Sequence, residues 1–259
     1  MLQMLDIGLN QLDALLLLFI RVSGIMFIST IFGRKNVPNT FKLGLSFFLS
    51  YLLMIAHPQE AVQYGNMWEF AFMCIKELLF GFILGFVTTV FFAVTFTAGQ
   101  IIDMQSGFSM VNVLDPQSNT HVPITGNLLN IIMTLCFILA SGHRTLIGVM
   151  MNTLERVPIG AVVLDKQLTA AVVEMFIYSF ALGINIAMPA IAAGITVEVA
   201  LGVMIRTVPQ MNMYVVGIPI KILIGFVMLV MIIPIFVSMT GGIFDNMYYY
   251  MDNLIEGLV

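Results

Sequence analysis

Residues 100–119 read QIIDMQSGFSMVNVLDPQSN, a polar stretch carrying Asp103, Gly107, Asp115 and Pro116. It lies between two long apolar runs: Leu78 to Ile102 contains no charged residue, and Pro116 to Gly142 contains none beside the titratable His121. Each run is long enough to cross hydrocarbon, which takes about 20 apolar residues. The stretch therefore reads as a loop tethered at both ends by hydrophobic helices, and that contrast decides the class of the whole chain.

Composition agrees. Of 259 residues, 60% are hydrophobic and 9% charged, against about 25% charged in an average soluble domain. A mean hydropathy of +1.03 leaves too little polar surface to cover a soluble core, so lipid or apolar partner subunits must cover the rest. The net charge of -4, with ten Lys and Arg, argues against nucleic acid, which requires a basic face. Cys74 and Cys136 are far apart in apolar runs and read as small buried hydrophobes. The N-terminal MLQMLDIGLNQLD carries two acids and no base before its apolar run, the wrong charge for a cleaved leader, so the first hydrophobic segment is expected to be retained.

About six helical elements are predicted, at Ala14 to Phe32, Leu43 to Ala56, Phe70 to Ile102, Ile124 to Ser141, Leu168 to Val203 and Tyr214 to Thr240. Their lengths fit single bilayer spans poorly, the second being short and the third and fifth too long. Strict alternation would also leave the bases of one of two basic connections, Arg34 to Lys42 or Arg144 to Lys166, on the wrong side. Both observations point to hairpins or re-entrant segments that do not all cross. The boundary along the chain is read at the polar stretch Asn152 to Gln167.

Arg21, Lys76, Glu77, Glu174, Glu198 and Lys221 fall inside apolar runs, where an ionisable group is costly unless paired or wet. They form either an ion path or charge pairs that fix helices and subunits; Arg21, Glu77, Glu174 and Glu198 are the candidate pair members. Gly81 and Gly85 form a GxxxG, and Ala192-Ala193-Gly194 a second small patch, both suited to close helix approach. No HExxH, CxxC, phosphate loop or GxSxG occurs, and His57, His121 and His143 lie in separate connections. Enzyme readings are disfavoured. Most of the 21 Met and 21 Phe are core, but Met104, Phe108 and Met110 sit in the polar stretch. Soft Met and aromatic contacts beside Gly107 and the Asp115-Pro116 turn could fill a pore and yield.

Taken with Arg206-Thr-Val-Pro-Gln-Met-Asn212 and Gly217-Ile-Pro-Ile-Lys221, the insert resembles the FliR/SpaR/YscT/EscT family of type III secretion export-gate proteins, over essentially the whole chain. The resemblance implies an all-α integral membrane protein built of helical hairpins, like a fusion of a FliP-like unit (residues 1–167) and a FliQ-like unit (168–259), packed in a helical export-gate assembly at the bacterial inner membrane, in the flagellar basal body. The partners it implies are FliP-like and FliQ-like subunits, an FlhB-like switch protein, membrane lipid and unfolded flagellar proteins in transit. It implies no enzyme activity, cofactor or metal. The family's channel plug falls here on residues 105–119. Phe108, Met110 and Val111 would occlude, Gly107 and Pro116 would shape the loop, and Gln105, Ser106, Asp115, Gln117 and Asn119 would complete it. Arg206, Pro209, Gln210, Asn212, Gly217, Pro219 and Lys221 are assigned to the FliQ-like hairpin and its lateral contacts. The competing reading is a secondary transporter of an ion or small molecule, with helices broken near Pro189, Pro219 and Pro234 and a midplane site at Glu174 and Glu198.

Overall fold

The structure, a computed structural model, describes residues 2–57, 62, 64–109, 123–163, 166–208 and 213–258. Among them the regular structure is entirely helical: α1 (Leu2–Ile28), α2 (Asn39–Ala56), α3 (Met67–Ser106), α4 (Ile124–Leu139), α5 (Gly142–Arg156), α6 (Lys166–Thr207) and α7 (Met213–Glu256). Five of these, α1, α2, α3, α6 and α7, are long and apolar enough to cross a membrane, and α4 and α5 together form a pair bent by 67° at Ala140–Ser141. The chain is an all-α membrane protein. Lengths of 40 residues for α3, 42 for α6 and 44 for α7 correspond to about 60 Å or more at 1.5 Å per residue. That is about twice the hydrocarbon thickness of a bilayer.

Three features differ from the sequence reading. Gly142–Arg156 is a helix, α5, although its charges placed it in a basic connection; Leu146, Met150 and Leu154 are buried while Arg144, Glu155 and Arg156 are exposed, so its apolar stripe is too narrow to register as an apolar run. α7 continues past Thr240 to Glu256, because Phe244, Met247, Met251 and Leu254 repeat at helical spacing and are buried. α6 and α7 also run through Pro189, Pro219 and Pro234, so the broken helices on which the transporter reading rests are absent among the described residues.

The chain forms two compact units. The first gathers 1–90, 141–175 and 244–259. Its core includes Leu17, Leu18, Val22 and Met26 of α1 with Phe80, Leu84 and Val87 of α3. Here α1 and α3 touch through glycine: Gly24 lies against the Gly81 backbone, and a Cβ at Gly85 would meet Ile28 at 3.0 Å, the close approach that a small-xxx-small pattern permits. The second unit gathers 91–140 and 176–243. Its core includes Phe91, Phe92, Ala98 and Ile102 of α3, Leu129, Met133 and Phe137 of α4, Ala187 and Ala190 of α6, and Phe236 of α7. These boundaries are spatial; they differ from a division at 167/168, which concerns likeness to other subunits. Much of α6 and α7 stays apolar outward, with Phe176, Phe180, Val199, Leu223, Phe226 and Val230 exposed, a surface that lipid or partner helices must cover.

Candidate functional site

The start of the polar stretch is not loop. Gln100 to Ser106 complete α3, because Ile101 and Ile102 carry on its apolar pattern and nothing before Gly107 breaks it. Gly107 then takes φ 79°, the left-handed conformation in which glycine commonly ends a helix. The Ser109 N–H donates to the Asp103 carbonyl at 3.2 Å, closing the last turn.

Within the second unit this helix end is seated between α6 and α7. Gln105 lies on Gly194 of α6 and Ser106 on Gly225 of α7, each so closely that a Cβ on the glycine would collide with it. The Ser106 hydroxyl turns inward and donates to the Ile102 carbonyl at 2.7 Å. Gly107 sits over the Lys221 stem, and Phe108 packs edge-on against Phe226 with ring centroids 5.6 Å apart. The buried Gln105 Oε1 has no hydrogen-bond partner among the described residues. Lys221 Nζ donates to Glu198 Oε1 at 2.6 Å, tying α7 to α6 beside this seat. The Lys221 side chain is the more buried of the two. Met104, by contrast, is exposed on the last turn. Met110, Val111, Asp115, Pro116, Gln117 and Asn119 lie outside the described residues.

The far side of the insert returns to the same helix. α4 starts after Pro123, which supplies no side-chain cap. The Asp103 carboxylate fills that role: the Thr125 N–H donates to it at 3.2 Å, and the Thr125 hydroxyl donates to Asp103 Oδ1. One turn earlier on α3, Gly99 touches the backbone of Gly126, and Asn130 Nδ2 donates to Thr95 Oγ1 at 3.3 Å. In the sequence Asp103 is one charge of the insert; the signal for its role is Thr125, two residues after the proline that opens α4.

The charges separate into different environments. In the first unit, Arg21 and Glu77 are fully enclosed and bridge by a two-pronged contact, Nε to Oε2 at 2.5 Å and Nη2 to Oε1 at 3.0 Å. Arg21 Nη1 also donates to the Val157 carbonyl at 3.0 Å, Glu77 accepts the Gly160 N–H at 2.8 Å, and the guanidinium lies 4.4 Å from the Phe80 ring centroid. Glu174 is exposed on α6, on a face that lipid or partner helices cover. Lys76 is half-buried beside Phe72. Arg206 is exposed in the last turn of α6, while Gly217, Pro219 and Lys221 lie within α7 and not in a turn. Pro209, Gln210 and Asn212 lie outside the described residues.

A family model described as bacterial export proteins, family 1, matches residues 12–247. The chain is similar to the flagellar biosynthetic protein FliR of Bacillus subtilis (strain 168), 28% identical over 95% of this chain and 96% of the relative. It is similar also to FliR of Escherichia coli (strain K12), 26% identical over 92% of this chain and 91% of the relative. Similarity extends to Yop proteins translocation protein T of Yersinia pestis, 26% identical over 69% and 70%. A match running through both compact units and all seven helices makes this chain a member of the bacterial export proteins, family 1.

Proposed function

We propose that this protein is a subunit of the flagellar type III secretion export gate, part of the channel through which unfolded flagellar proteins leave the cell, and that its insert closes that channel at rest. The observation carrying this reading is the family match over residues 12–247. The FliR relatives, covered nearly end to end, favour the flagellar system over the injectisome. The gate sits in the bacterial inner membrane at the basal body. FliP-like and FliQ-like subunits cover the apolar outer faces of α6 and α7, an FlhB-like protein contacts the assembly, and the protein performs no catalysis.

Closure uses residues 105–119. Phe108 packs edge-on against Phe226, where aromatic pairs contribute about 0.5–1.5 kcal/mol beyond area burial. A seal made of many such contacts holds against ions and gives way when a chain driven from the cytoplasm competes for the same apolar surface.

Deleting residues 108–118 tests this. In cells carrying the otherwise intact apparatus, the variant is expected to leak small ions while the complex is still recovered. An ion-tight membrane with unaltered secretion contradicts the plug.

A further inference from the structure

Asp103 and Thr125 stand at the two ends of the insert, and the structure brings them into direct contact. Asp103 is 5% exposed and Thr125 1%, so water does not compete for their hydrogen bonds. The contact replaces a missing part. A helix start leaves backbone N–H groups unsatisfied, usually met by a side chain at the cap position; Pro123 has none to offer, and an acid there also complements the positive helix end. Asp103 supplies both from the preceding helix. Gly99 against Gly126 brings the two backbones together, which two side chains would forbid, and the Asn130–Thr95 bond carries the contact one turn further.

We infer that Asp103 is a positioning residue: it holds the end of α3 to the start of α4 and so fixes the two helix ends from which the insert departs. The inference rests on the plug reading and deepens it. A clamp between α3 and α4 keeps these two helices together while a chain is transported, so the resting seal depends on it. Thr125 is the partner that receives the clamp, and Gly99 and Gly126 set its reach.

The test uses the whole assembled complex with three variants: Asp103→Ala, Asp103→Asn, which keeps an acceptor, and Thr125→Val, which removes only the hydroxyl. Two readouts are taken, hydrogen exchange of the backbone at 124–127 and ion leak in the absence of transport. Asp103→Ala is expected to raise exchange there about tenfold, the equivalent of one lost buried hydrogen bond, and to make the resting gate leak. Asp103→Asn should recover much of both, and Thr125→Val should give a smaller change in the same direction. Unchanged exchange in Asp103→Ala overturns the clamp. So does raised exchange with a tight gate when deletion of 108–118 leaks; if the deletion is tight as well, the plug reading itself fails. Should Asp103→Ala not assemble, Thr125→Val decides, and raised exchange with a tight gate overturns the inference.

Discussion

Replacing Arg21 with Met is expected to destabilise the first compact unit by about 3–5 kcal/mol, the usual consequence of removing one partner from a buried ion pair. Glu77 is 0% exposed and Arg21 1%, so neither is rehydrated when the other is lost. Arg21 does more than neutralise: its fork spans the Glu77 carboxylate and the Val157 carbonyl, while Glu77 also takes the Gly160 N–H. Two residues of α1 and α3 thereby hold the connection that follows α5. Arg21→Lys keeps the charge and loses the fork, so it should recover only part of the stability. The double variant Arg21→Met/Glu77→Leu leaves no buried charge and should be more stable than either single variant, because apolar replacement of a buried pair is often neutral. Thermal unfolding of the detergent-solubilised complex distinguishes these cases. Single variants as stable as the parent would show that the pair is not enclosed in the assembled protein.

Gly99→Val is the second large effect. At this point α3 and α4 meet backbone to backbone, and a Cβ on Gly99 would overlap the Cα and nitrogen of Gly126. No rotamer relieves that contact, because the obstacle is main chain. The helices must part, at a cost at or above the usual 1–3 kcal/mol of overpacking, so about 3 kcal/mol, and the Asp103–Thr125 bonds one turn further along are lost with them. Gly148 of α5 provides the control: a Cβ added there would meet nothing within 4 Å, so Gly148→Ala should stabilise by about 0.5–1 kcal/mol as helix propensity alone dictates. The check is recovery of each variant in the complex together with its unfolding temperature. Equal behaviour of the two glycines would remove the close crossing from the account.

Much of the fold was legible because membrane helices declare themselves as uncharged runs. Leu78 to Ile102 could hardly be anything else, and Gly81 and Gly85 mark a close helix approach on α3, whose partner, α1, only the fold supplies. What stayed hidden depended on distance or on faces. Arg21 and Glu77 are 56 residues apart, and no spacing rule links them. α5 escaped notice because Arg144, Glu155 and Arg156 dilute a stripe of three buried apolar residues. A run of apolar letters likewise does not say which side of α6 carries Glu174. The site divides the same way: Gly107 was readable as a point of backbone freedom, but its place as the stop of α3 depends on Gln100 to Ser106 being helical. The seat on Gly194 and Gly225 and the bond from Thr125 to Asp103 come from segments that only the folded chain brings together.

The central claim, that this protein is a subunit of a multi-component export gate, is tested most directly by purifying the tagged chain at native expression in mild detergent and identifying what accompanies it. The account predicts a large complex containing small, very hydrophobic unlike subunits. A chain recovered alone, or only with copies of itself, would contradict it.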